Sequence, residues 1–153
     1  MSPPFKKILC AVDFDRNSMS ALDFAGVLAR QNDAFLHGLH VVVVALGNLG
    51  YPARPYQQLA HAERQNLQTL LDAHVPSGVL HESIVRLGNP AEEIVAAADE
   101  LGVDLIVVAS HGRGGLSRAI FGSVTEEVLR SSHRPVLIFK PDVAPAVINS
   151  SAV

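Results

Sequence analysis

Leu105-Ile106-Val107-Val108-Ala109, then Ser110-His111-Gly112-Arg113-Gly114-Gly115-Leu116-Ser117-Arg118, then Ala119-Ile120-Phe121-Gly122-Ser123, and at the far end Pro135-Val136-Leu137-Ile138-Phe139: this stretch decides the fold. Two continuous apolar runs bracket a glycine- and arginine-rich loop and a helical pattern that continues through Arg130. The order is strand, open loop, helix, strand. A glycine-rich loop feeding a helix N-terminus directs backbone N–H groups and the positive end of the helix dipole at one spot. Such a spot favours an anion, most often a phosphate.

Working outward, the same alternation fills the chain. Lys7–Val12 is a short apolar run, the mark of a strand covered on both faces. Asp13–Asn17 breaks it, and from Ser18 the positions Ala21, Leu22, Ala25, Leu28 and Ala29 recur at helical spacing. Phe35–Val44 is a valine-rich strand. Glycine and proline from Gly47 to Pro55 mark a long loop, and Tyr56–Val75 reads as a helix. Leu80–Leu87 is a more polar strand, which places it toward a sheet edge. Asn89-Pro90-Ala91-Glu92 is a helix start, with Asn89 as cap and Pro90 at the first helical position, and Gly102 ends that helix. Ser123-Val124-Thr125-Glu126 reads as a capping box opening the last helix. Apolar strands alternating with helices predict an α/β fold: an open five-stranded parallel sheet, order 3-2-1-4-5, with helices on both faces in the Rossmann-like manner. One domain over residues 1–141 and a disordered tail over 142–153 complete the expected organisation.

In open parallel sheets ligands bind at the carboxyl ends of the strands, where the strand order reverses. Asp13 follows the first strand and the Ser110–Arg118 loop follows the fourth, so both fall at such an end. A carboxylate there suits ribose hydroxyls or a base amino group. The N–H groups of Gly112, Arg113, Gly122, Ser123 and Val124 suit phosphates. Taken alone, Asp13 reads equally as a helix cap or turn residue, Gly112, Gly114 and Gly115 as a plain loop, and Arg113 and Arg118 as solvated surface. Ala109 continues an apolar run and is read as strand.

The loop is neither of the two commonest phosphate loops. No lysine lies between Asp104 and Phe139, and Ser117 stands where a dinucleotide fingerprint needs its third glycine. It resembles instead the loop of the universal stress protein family, G-x2-G-x9-G-(S/T). Gly112 is followed by nine residues and then Gly122-Ser123, while Ala109 takes the place of the first glycine. The resemblance runs from Lys6-Lys7-Ile8-Leu9-Cys10-Ala11-Val12-Asp13 to Pro135-Val136-Leu137-Ile138. It implies ATP as ligand, with Ala11, Asp13 and Val41 at the adenosine end. Ala109, His111, Gly112, Arg113, Gly122, Ser123 and Val124 would hold the triphosphate. It also implies a regulatory protein of the stress response, working as a homodimer paired through the last strand. Magnesium would be held through phosphate oxygens or water near Asp13 and Asp15. Two other readings stand beside it: a slow ATP hydrolase or nucleotidyl transferase on the same fold, and a stress-induced dimer without nucleotide.

Composition narrows the field. The 153 residues are 48% hydrophobic and carry a formal charge of −3, which gives no basic footprint for nucleic acid. The single cysteine, Cys10, has no internal partner and reads as a small buried hydrophobe. No apolar run approaches the roughly 20 residues that span a bilayer, so a cytoplasmic protein is expected. His37 and His40 lie three apart on a strand and point to opposite faces, which prevents them from sharing a metal. No triad accompanies Ser110-His111, so no catalytic residue is assigned.

Overall fold

The structure, a computed structural model, describes residues 4–44, 53–110 and 122–140, with only the backbone of 53–55. The elements are β1 (Lys7–Ala11), α1 (Arg16–Asn32), β2 (Phe35–Val43), α2 (Ala53–His74), β3 (His81–Gly88), α3 (Pro90–Leu101), β4 (Leu105–Ala109), α4 (Ser123–Ser131) and β5 (Val136–Phe139). The strands form one sheet in the order β3-β2-β1-β4-β5, and every adjacent pair is parallel. The expected fold class and strand order are both met.

Strand side chains alternate between two cores. Ile8, Cys10 and Val107 face Ala21, Leu22 and Ala25 of α1 and Leu67 and Leu71 of α2. Leu9, Ile106 and Val108 face Ala91, Ile94 and Ala98 of α3 and Val128 of α4. This two-sided burial is why β1 and β4 read as unbroken apolar runs. Each fully buried leucine or isoleucine contributes about 2 kcal/mol, against about 0.5 for an exposed ion pair, so the two cores hold the sheet together. Gly38 lets α2 sit close on β2: a Cβ there would lie 2.8 Å from Leu71 Cδ2.

Helix ends follow their local chemistry. Asp15 caps α1 by accepting from Ser18 N at 2.7 Å, and Asn89 caps α3 by accepting from Glu92 N at 3.1 Å. Gly102 closes α3 in the left-handed region at φ 65°, as its position predicts. Two expectations are corrected. Helix α2 starts at Ala53 rather than Tyr56, because Pro55 falls in the first turn, where a backbone N–H has no helical partner to lose. No capping box opens α4: Gly122 is the cap and Ser123 is already the first helical residue, so no side chain caps that helix.

The sheet edges differ. Arg86 on β3 reaches across to α3, pairing with Glu93 at 2.8 Å and Glu100 at 2.7 Å, and these carboxylates push its guanidinium further up from an already high value. At the other edge all four residues of β5 are half-buried.

Candidate functional site

The strand order reverses between β1 and β4, whose ends are marked by Ala11 and Ala109. There the chain leaves β1 toward one face and β4 toward the other, and a cavity of about 310 Å³ opens over the strand ends. Its walls combine Ala11 and Val41 from the strands with Ile94 from α3 and Val124 from α4. Asp13, Asp15, Ser18, His40, Ser110 and Thr125 supply the polar part of the lining. The volume falls at the lower end of small-molecule pockets, and mainly apolar walls with a few placed polar groups are what a flat heteroaromatic ligand requires.

Asp13 is exposed and held by a tight turn. Its Oδ1 accepts from Asp15 N at 3.2 Å, and its own N–H donates to Ser18 Oγ at 3.2 Å. Phe14 between the two aspartates takes φ 66°, an uncommon conformation for a residue with a side chain. His40, three residues before the end of β2, donates from Nδ1 to the Val12 carbonyl at 2.7 Å, and its ring lies against Phe14 with centroids 4.6 Å apart. A carbonyl can only accept, so Nδ1 carries the proton.

On the opposite wall the first turn of α4 closes the cavity. The leading N–H groups of a helix have no carbonyl within the helix to bond, and Gly122 brings no side chain to these. Thr125 Oγ1 donates to the Ala109 carbonyl at 3.2 Å, fastening that turn to the end of β4. Ala109 pairs with Phe139 as an ordinary strand residue, so the methyl that replaces a glycine hydrogen there costs no backbone strain. Cys10, one residue before Ala11, is fully buried; desolvation pushes its thiol up to about 12, so it offers no thiolate.

Of the residues singled out from sequence, Ala11, Asp13, Val41, Ala109 and Val124 line this one cavity. Gly122 and Ser123 stand at the start of the helix that closes it. His111, Gly112 and Arg113 lie outside the described residues. The sequence reading missed His40, Thr125 and Ile94. The signal for Thr125 was its place on the inward face of a short amphipathic helix, three residues before Val128; His40 had only its parity on β2. Four other histidines pair with carboxylates: His37 with Glu82, His74 with Asp23, His81 with Asp72 and His133 with Asp99. Among the described residues no three His, Cys, Asp or Glu side chains gather as a metal site, and no helix is long and apolar enough to cross a membrane.

Known proteins share this architecture. The universal stress protein YxiE of Bacillus subtilis is 37% identical over 147 residues, covering 89% of this chain and 99% of its own. The solved structure of MJ0577, a universal stress protein of Methanocaldococcus jannaschii, superposes with a TM-score of 0.75 at 28% identity, covering 91% of this chain and 98% of that one. A universal stress protein in complex with cAMP superposes with a TM-score of 0.66, covering 89% and 97% of the two chains; at 24% identity it speaks for the fold alone. The profile of the universal stress protein family matches residues 4–140, and with a 37%-identical relative covered almost end to end and the overall fold shared, the chain belongs to that family.

Proposed function

We propose that this chain binds an adenine nucleotide, ATP in the first instance, at the β1–β4 switch point and acts as a regulatory protein of the stress response. One observation carries the reading: a mainly apolar cavity is flanked by a carboxylate, Asp13, and by a helix start without a side-chain cap, that of α4. The adenosine end lies at Ala11, Asp13 and Val41. The phosphates lie toward Ala109, Gly122, Ser123 and Val124, and the sequence motif adds His111, Gly112 and Arg113, which lie outside the described residues. Helix N–H groups and the dipole favour the anion there. Magnesium would be held through the phosphate oxygens or water, with help from Asp13 and Asp15.

The test is mass spectrometry of small molecules released on denaturing the purified protein, followed by calorimetric titration with ATP, ADP and AMP. A stoichiometric adenine nucleotide, or saturable ATP binding, is the expected outcome; neither in a folded protein overturns the reading. Turnover above about 1 s⁻¹, within the ordinary enzyme range, would favour a hydrolase or transferase instead.

The working form is a homodimer paired through β5. This strand sits at the sheet edge with half-buried side chains, and a two-fold axis covers such an edge with its own copy. Sedimentation at micromolar concentration is expected to give twice the chain mass, and a monomer would refute it.

A further inference from the structure

We propose that His40 is the positioning residue for Asp13, and that it sets how the adenosine end of the ligand is held; the second half rests on the nucleotide reading above. One imidazole grips both residues that flank Asp13. Its Nδ1–H donates to the carbonyl of Val12, and its face packs against the ring of Phe14 at an interplanar angle of 54°. Asp13 therefore stands between two residues fixed from β2, a different element. Its remaining supports come from close by in the chain: Asp15, in the turn, and Ser18, in the first turn of α1.

The turn needs outside support because Phe14 holds φ 66°, a conformation that costs about 1 kcal/mol or more and persists only where surroundings impose it. With the ring of Phe14 released, the peptide after Asp13 is free to relax, and the exposed carboxylate loses its fixed direction at the cavity rim. The geometry also states which replacement works. An asparagine amide nitrogen stands at the same distance along the side chain as Nδ1; a glutamine amide stands one carbon further out.

The experiment compares His40→Leu, His40→Asn and His40→Gln, in the native background and in Asp13→Ala. ATP titration is the first readout, and amide exchange of Asp13 and Asp15 in the ligand-free protein is the second. In the native background His40→Leu and His40→Gln are expected to weaken ATP by about tenfold, and His40→Asn, which keeps the bond to Val12 but not the ring against Phe14, by about threefold. In the Asp13→Ala background His40→Leu should change affinity by less than about twofold, because the group it acts through is gone. Exchange at Asp13 and Asp15 should quicken by about tenfold in His40→Leu, with Val107 in β4 unchanged. Equal losses in both backgrounds would mean a general structural role and overturn the proposal, as would unchanged exchange at the turn. A folded native protein that takes up no ATP would overturn the nucleotide reading and the ligand half of the proposal; the exchange readout then decides whether His40 holds Asp13.

Discussion

Thr125 Oγ1 and the Ala109 carbonyl, 16 residues apart, meet at 3.2 Å, and the bond fixes the start of α4 over the end of β4. Thr125 is buried, so its loss is felt. Thr125→Val keeps the shape but removes the donor and leaves the Ala109 carbonyl without that partner. Urea denaturation should show a loss of about 1 kcal/mol, on the scale of one buried hydrogen bond, while Thr125→Ser stays closer to the native value.

Gly122→Glu should abolish nucleotide binding in a protein that remains folded. The backbone at Gly122 has φ −59° and ψ 160°, open to any residue, so the substitution carries no conformational penalty. A carboxylate there sits where the phosphates would lie. At about 4 Å and an intermediate dielectric, two like charges repel by about 4 kcal/mol, roughly a thousandfold in affinity. The helix tolerates it, since a negative charge at its N-terminus is favourable. ATP titration beside circular dichroism on one sample checks both halves; undiminished affinity in the folded variant would place the phosphates elsewhere.

Gly38→Ala tests the close approach of α2 to the sheet. The new methyl would meet Leu71 Cδ2 at 2.8 Å and Cδ1 at 3.0 Å, and Leu71 is fully buried, so it has little room to yield. The expected cost is about 1–3 kcal/mol of stability. Leu71→Ala in the same chain relieves the clash, so the double variant should lose less than the sum of the two single losses. Simple additivity in chemical denaturation would contradict this packing.

His81 makes stability depend on pH. Its Nδ1 faces the Val79 carbonyl and its Nε2 faces Asp72 Oδ1, both at 2.9 Å. Both partners accept only, so the doubly protonated ring satisfies them best. Burial is the largest single influence and works against the charged ring, but the hydrogen bonds to Asp72 and to the Val79 carbonyl, with the charge of Asp72, together outweigh it, and the pKa of His81 is raised. Asp72 is lowered, first by the bond from His81 and then by that from Gln68. A raised histidine stabilises fully below its ordinary value and loses this as pH climbs through the folded value. A lowered carboxylate stabilises above its ordinary value and loses this as pH falls through the folded one. Both contributions are complete between roughly pH 4 and 6.5. Thermal melts of the native protein and His81→Gln should therefore differ most in that window and draw together toward alkaline pH.

What the sequence disclosed and what it withheld divide along physical lines. Leu105–Ala109 was legible because burial on both faces leaves no polar position in the run. Asn89, Pro90 and Gly102 were legible because caps are chosen by the backbone beside them. Asp13 and Asp15 were harder to separate, since both are turn carboxylates just before a helix. Asp15 becomes the cap and Asp13 turns outward through the left-handed Phe14. His40 was weighed only as a metal ligand, because its hydrogen bond spans 28 positions and ties β2 to the residue after β1, neighbours that only the folded sheet brings together. The start of α2 was misplaced by treating Pro55 as a helix breaker, which it is not in a first turn.

The sheet order has a consequence for how the molecule is made. β1 lies between β2 and β4, so the first three strands are complete in the chain well before β4 is synthesised. Until then β1 is an open edge, with Ile8, Leu9 and Cys10 lacking the neighbours Leu105, Ile106 and Val107. The cavity straddles this seam: Ala11, Val41 and Ile94 belong to the early part, Ala109, Val124 and Thr125 to the late part. Its walls meet only when the last third of the chain docks, and a ligand lodged there ties the two parts together. Occupancy by the proposed nucleotide would then distinguish a finished molecule from a nascent one.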